Sequence, residues 1–398
     1  MTNTLPSTPK HILPTIVLAQ FACTSLWFAG NAVLPNLIPQ FHLEASSLSH
    51  LTSAVQLGFI LGTLVFAVFT ISDRFSPSWV FLVCAVAGAG FNLSLLLANG
   101  FPALVLSRFL TGFCLAGIYP VGMKIASDYH QKGLGKALGF LVGALVLGTA
   151  FPHLLKSMTE GLPWRYVIWA TSGLAVLGGF SLFALVPNGP FRSHSSQPDF
   201  KAFFQIFRQK EFRAAAFGYF GHMWELYTFW AFVPFILALY AEAHPETPLN
   251  NPLLSFTIIA VGALACVAGG FLAGNIGSAK TAFGALAVSM VCCLVSPWLF
   301  QMSLPLFLGL LLVWGLAVVM DSPQFSTLVA QSAPAQAKGT ALTIVNSLGF
   351  AITIMSIQFL RSLQADVSPR YWFLFLALGP LLGLLAMRRL LRSTAAVK

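Results

Sequence analysis

Apolar runs of about 20 residues, separated by short polar turns, repeat along the whole chain. Wound as a helix, such a run crosses the ~30 Å hydrocarbon layer of a bilayer, and none shows the strict alternation of a barrel strand. The pattern predicts helical spans at Ile12–Leu34, Leu48–Phe69, Trp79–Ala98, Pro102–Ala126, Lys136–Leu155 and Tyr166–Val186. A second set is predicted at Phe212–Tyr240, Leu253–Asn275, Thr281–Phe300, Leu304–Val329, Gly339–Leu360 and Tyr371–Met387. Residues 1–187 and 212–398 are therefore expected to form two six-helix bundles of an all-α polytopic membrane protein. The long polar connector, residues 188–211, alternates Arg192, Lys201, Arg208 and Lys210 with Phe200, Phe203, Phe204 and Phe207. It reads either as an amphipathic segment on the membrane surface or as a solvated linker.

Composition agrees: 57% of the 398 residues are hydrophobic and 8% charged, which excludes a soluble globular protein. The net charge of +10 would suit nucleic acid, but all the basic residues except Arg108 and Lys124 lie between the spans or at their ends. Placing both termini on the cytoplasmic side puts fifteen basic residues inside and four outside (Lys156, Arg165, Arg361 and Arg370), which fixes the orientation by the positive-inside rule. The expectation is a multi-pass protein of the plasma membrane, the inner membrane of a bacterium, with lipid around it and no nucleic-acid partner. Its first span reads as uncleaved, since no convincing cleavage site follows it. Six cysteines lie inside apolar runs and read as buried thiols.

An acid and a histidine interrupt the seventh span, in Gly218-Tyr-Phe-Gly-His222-Met-Trp-Glu225-Leu-Tyr-Thr-Phe-Trp230. An ionisable group in hydrocarbon costs roughly 2.5–3.5 kcal/mol and is tolerated where it faces a bundle interior or a wet cavity. His222 and Glu225, three apart, share a helix face flanked by Trp224 and Tyr227. Either they are a protonatable pair lining a substrate path, or a local pair that fixes helix packing. Asp321 lies roughly 25 Å along the tenth span at 1.5 Å per residue. It is a candidate second proton site, or a partner for backbone groups freed by Pro323. Lys124 and Asp128 are one turn apart and are expected to make a structural contact.

The two halves repeat one another. Gly112 precedes Pro120 by eight residues, as Gly315 precedes Pro323, and Gly135-Lys-Ala-Leu138 is followed 204 residues later by Gly339-Thr-Ala-Leu342. Parallel duplication of this kind places a substrate site between the halves, near the bilayer midplane.

On these residues the chain resembles the major facilitator superfamily of secondary transporters, over essentially its whole length. The superfamily's loop motif, G-x-L-a-D-R-x-G-r-K, is matched by Phe69-Thr-Ile-Ser-Asp73-Arg74-Phe-Ser76, which keeps Asp-Arg and lacks both glycines. The second copy, Gly270-Phe-Leu-Ala-Gly274-Asn275-Ile-Gly277, keeps the glycines and lacks Asp-Arg. The resemblance implies twelve helices in two pseudo-symmetric bundles and an inner latch, with Asp73 facing the helix opened by Gly339 and Arg74 paired with Asp128. Arg108 and Gly112 are similar to the R-x-x-x-G motif common in proton-coupled members. Arg108 is too deep to reach either surface easily, so its partner is expected to be Glu225, an anionic substrate or a carbonyl. The resemblance also implies a cavity lined by the first, fourth, seventh and tenth spans, which adds Gln20, Trp27 and Asn31 as candidate substrate contacts. The fifth span lacks the Gly-Pro step of the antiporter motif.

No catalytic motif, metal-ligand pattern or nucleotide-binding loop is visible, so an enzyme or an ATP-driven pump is not expected, and no cofactor is implied. What remains is a monomeric transporter of a small molecule, working by alternating access and coupled to protons at Glu225, His222 and Asp321. Efflux of amphipathic compounds is favoured. Carriage of a small anion on Arg108 is the alternative, and a non-transporting sensor is a lesser one.

Overall fold

The computed structural model describes residues 9–44, 46–129, 134–192, 207–333 and 338–395, and these are all-helical, with no strand among them. Among the described residues, twelve helices are long and apolar enough to cross a membrane. The first six run Ile12–Phe41, Ser47–Val68, Pro77–Leu97, Phe101–Tyr129, Lys136–Met158 and Arg165–Leu185. The last six run Lys210–Ala243, Asn251–Ile276, Ser278–Gln301, Leu304–Ser332, Ala341–Leu363 and Pro369–Arg388. Number and order match the apolar runs. Several helices continue past the predicted ends, because a chain leaving hydrocarbon still satisfies its backbone most simply by adding helical turns.

Three spans are broken, each for a local reason. The fourth stops at Leu115 and resumes at Tyr119, ahead of Pro120, and the tenth breaks at Asp321, ahead of Pro323. A proline removes a helix donor and crowds the preceding turn, so equal Gly-to-Pro spacing breaks both halves at the same place. The first span stops at Thr24 and resumes at Ala29 with no proline in the gap, and this break is closed by a side chain described below.

The duplicated glycines bring helices into backbone contact. A Cβ on Gly112 would lie 2.1 Å from the Val55 carbonyl oxygen, and one on Gly315 would lie 2.1 Å from that of Ile258. The second span thus crosses the fourth as the eighth crosses the tenth. Small residues permit such approach where apolar side chains gain nothing by leaving lipid.

Within each half the six helices pack on one another, and the halves meet where the second span lies on the eleventh and the fifth on the eighth. Exposed apolar side chains mark the third, sixth, ninth and twelfth spans, among them Val83, Phe180, Val291 and Leu382, as a lipid-facing surface requires. Residues 193–206 of the connector, with Phe200, Lys201, Phe203 and Phe204, lie outside the described residues.

Candidate substrate cavity

Between the halves lies a cavity of about 780 Å³, walled by the second, fourth, fifth, seventh, tenth and eleventh spans. It reaches Asp73, Lys124 and Gln331 at the ends of the second, fourth and tenth spans, on the face that carries the termini. Its opposite end closes on aromatic rings. Trp27 is 4.9 Å from Phe59 and 5.6 Å from both Tyr227 and Phe350, and Phe59 is 4.4 Å from Phe350. Trp27 and Phe59 belong to the first half, Tyr227 and Phe350 to the second, so this floor is a seam between them. Beyond it, Gln358 Nε2 donates to Ser53 Oγ at 2.8 Å and to the Ser49 carbonyl at 3.2 Å, while Ser157 Oγ donates to Asn250 Oδ1 at 3.2 Å. These contacts shut the face opposite the termini.

The seventh span gives Tyr219, Met223, Leu226, Tyr227 and Trp230 to the wall and turns its ionisable groups behind it. Glu225 Oε1 accepts hydrogen bonds from Ser289 Oγ at 2.5 Å, Trp314 Nε1 at 2.5 Å and Cys293 Sγ at 3.2 Å. The carboxylate thereby ties the seventh span to the ninth and tenth. His222 Nδ1 lies 2.8 Å from Asp321 Oδ1, at the break in the tenth span, with both residues buried. The expected His222–Glu225 pair is thus replaced by two separate arrangements. Three residues advance a helix to within about 60° of the starting face, and on a helix buried nearly all round that turn selects different neighbours. Trp224 points away from the wall: its Nε1 donates to the Phe375 carbonyl at 3.4 Å and its ring packs on Phe359.

Arg108 is fully buried and does not line the cavity. Its Nη2 donates to the carbonyls of Leu26, at 3.0 Å, and Trp27, while Nη1 donates to Asn92 Oδ1 at 3.2 Å. The guanidinium fills the break in the first span. Of the three expected partners it takes the carbonyl, and no carboxylate among the described residues is in ion-pair range. Gly30 leaves it room, since a Cβ there would lie 3.0 Å from Arg108 Cδ and Nε. Asn31 Nδ2 donates to Thr52 Oγ1 at 2.8 Å, joining the first two spans, and Gln20 is buried against Gly122. Neither lines the cavity, and no first-span residue does; Trp27 stands behind the lining residues Tyr227 and Phe350, in ring contact with both.

At the terminus-bearing face, Lys124 Nζ lies 2.8 Å from Asp73 and 3.8 Å from Asp128. Lys124, and not Arg74, therefore holds both acids; Arg74 is exposed and has no ion pair among the described residues. Arg192 donates to the carbonyls of Asp73 and Phe75 at 2.9 and 2.8 Å. Apart from Arg192 in the connector, these groups belong to the first half, so Asp73 is tied to its own bundle while the cavity reaches this face. Gly339 lies in the first turn of the helix Lys338–Leu363, where the side chains lie outside the described residues.

The sequence profile of the Major Facilitator Superfamily matches residues 16–357. The chain belongs to this superfamily. An Escherichia coli O157:H7 protein named uncharacterized transporter YgaY is 27% identical over 199 residues, 48% of this chain and 49% of that protein. The multidrug transporter FLR1 of Candida glabrata is 26% identical over 170 residues, 41% of this chain and 30% of that protein. The matches thus span about half, or less, of these relatives' length. The crystal structure of the human organic anion transporter MFSD10 shares the fold, with a TM-score of 0.77 at 16% identity, over 96% of this chain and 100% of that one.

As a Major Facilitator Superfamily member, the chain departs from the loop motif in an informative way. In the second copy Gly277 takes φ +89°, a conformation that favours glycine. In the first copy Ser76 occupies that place with φ −58°, and the left-handed residue is instead Thr70, at φ 49°. The turn has moved six residues upstream, so the missing glycine is not needed. The donors to Glu225 are not among the residues that sequence reasoning singles out. A signal for two of them exists: Ser289 and Cys293 are four apart and so share one helix face, where they can donate together to a buried acid on a neighbouring helix.

Proposed function

We propose that this superfamily member is a proton-coupled exporter of amphipathic, aromatic small molecules in the bacterial inner membrane, with both termini cytoplasmic. The carrying observation is the cavity: its wall presents Phe66, Tyr119, Tyr219, Tyr227, Trp230 and Phe350, drawn from both halves. Its charged lining residues, Asp73 and Lys124, stand paired at the rim. An apolar aromatic wall with scattered hydroxyls suits ligands whose binding comes from ring contact. Arg108 gives the anion reading little support, because it does not line the cavity and its terminal nitrogens donate to the first span's carbonyls and to Asn92. The name of the FLR1 relative, a multidrug transporter, agrees with a broad apolar substrate range. Distribution of the basic residues favours the cytoplasmic placement of the termini.

Transport would proceed by rocking residues 1–187 against 212–398. Glu225 is the leading proton site. Its three hydrogen bonds join the seventh span to the ninth and tenth, so adding a proton rearranges the packing directly behind the substrate wall. Asp321 with His222 is the second candidate, placed where the tenth span is already broken.

The test is proton flux in acid-loaded inverted vesicles challenged with a lipophilic aromatic compound, then with small organic anions. The expected result is loss of the gradient with the aromatic compound and no such response with Glu225→Gln. Full coupling in that variant would remove Glu225 from the mechanism. A response to anions alone would replace the proposed substrate class.

A further inference from the structure

At the floor of the cavity stand hydrogen-bond donors that no described residue uses. Trp27, Tyr227 and Trp230 are each no more than 1% exposed, and Trp27 Nε1, Tyr227 Oη and Trp230 Nε1 have no hydrogen-bond partner among the described residues. The three rings form one row, with Trp27 5.6 Å from Tyr227 and Tyr227 5.2 Å from Trp230. Elsewhere the chain pairs its buried indoles: Trp314 donates to Glu225, Trp372 to the Val367 carbonyl at 2.6 Å and Trp164 to Gln40 at 2.9 Å. An indole N–H can donate but not accept, so a ligand that satisfies this row must bring an acceptor. The rings around it, with Phe59 and Phe350 completing the box, call for a flat apolar body.

Charge narrows the ligand further. Lys124 is held by Asp73 and Asp128 at the rim, and Arg108 does not line the cavity, its terminal nitrogens turned to the Leu26 and Trp27 carbonyls and to Asn92, so an anion in the floor would meet no cation open to it. We infer that the floor is a binding subsite for an uncharged aromatic ring bearing a carbonyl-type oxygen. The ring lies against Tyr227 and Phe350, and the oxygen accepts from the donors of the two residues that line the cavity, Tyr227 Oη and Trp230 Nε1. This inference rests on the transport reading of the cavity and names its substrate class. Since the ring contacts here join both halves, such a ligand substitutes its own contacts for the seam and favours the state in which the halves part.

The experiment is calorimetric titration of the full chain in lipid nanodiscs, with empty discs as the blank. The probes are 2-acetonaphthone, the isosteric hydrocarbon 2-isopropenylnaphthalene and the anion 2-naphthoate. The ketone is expected to bind roughly tenfold tighter than the hydrocarbon, as one or two net hydrogen bonds allow. Trp230→Phe and Tyr227→Phe keep a ring and remove the donor; each is expected to shrink the ketone-to-hydrocarbon ratio several-fold. Equal affinities for ketone and hydrocarbon in the unaltered chain would overturn the inference without any variant having to fold. So would a ratio unchanged in both variants, and naphthoate binding tightest would overturn the uncharged class. The titration needs no proton gradient. Selective ketone binding without coupled flux would count against export alone, and coupled flux without selectivity against the subsite alone.

Discussion

Arg108 shows how a buried cation can be held without an acid. Two carbonyl dipoles at the break in the first span and the Asn92 amide surround its guanidinium, whose planar fork reaches all three. Lysine offers a compact point charge with no fork. Arg108→Lys is therefore expected to destabilise the protein by about 1–3 kcal/mol, the cost of leaving buried polar groups unmet, while substrate KM changes little. Thermal unfolding together with transport kinetics checks this; a large rise in KM at unchanged melting temperature would put Arg108 in the substrate site. The depth of Arg108, and so its need for an internal partner, is legible in the sequence. The partner is not, because Ser25-Leu-Trp-Phe28 contains no helix breaker to announce that carbonyls are free there. The same holds for Glu225: its burial follows from its apolar neighbours, but a helix enclosed on nearly every side has no periodic face to show which way an acid turns.

At the level of helices the duplicated register carries most of the information. Gly112 and Gly315 are recognisable from spacing alone, and both prove to be crossing points. Their neighbours at the contact are backbone carbonyls, which cannot swing aside. Gly112→Ala and Gly315→Ala are accordingly expected to lower the melting temperature. At Gly284, inside the ninth span, an added Cβ would meet nothing within 4 Å, so Gly284→Ala should gain helix propensity, worth up to ~1 kcal/mol. Opposite signs for crossing and open glycines are the result to look for in thermal melts. Equal shifts at all three sites would mean that propensity, and not close approach, governs these positions. Helix ends are less legible, since polar turns such as Lys210-Glu211 extend a span as readily as they end it.

For the whole molecule, the question is how firmly the closed face is held. Across it, Gln358 makes two hydrogen bonds to the second span, with Arg361 Nη1 donating to its Oε1 at 3.4 Å, and Ser157 meets Asn250 at the fifth and eighth spans. A net hydrogen bond in a protein is worth about 0.5–1.5 kcal/mol, so this polar closure is weak enough for one ligand or one proton to tip. Gln358→Ala removes both bonds to the second span. It is expected to shift the balance roughly tenfold toward the state open on the face opposite the termini, since about 1.4 kcal/mol corresponds to that factor. Glu44 and Asp366 are exposed near the ends of the helices concerned, and all six native cysteines are buried, so spin labels on Glu44→Cys and Asp366→Cys report the separation of the halves. A longer-distance population that grows in Gln358→Ala is the predicted outcome. An unchanged distance distribution would mean that the aromatic floor, where Phe59 and Phe350 meet at 4.4 Å, holds that face shut without help from the polar contacts.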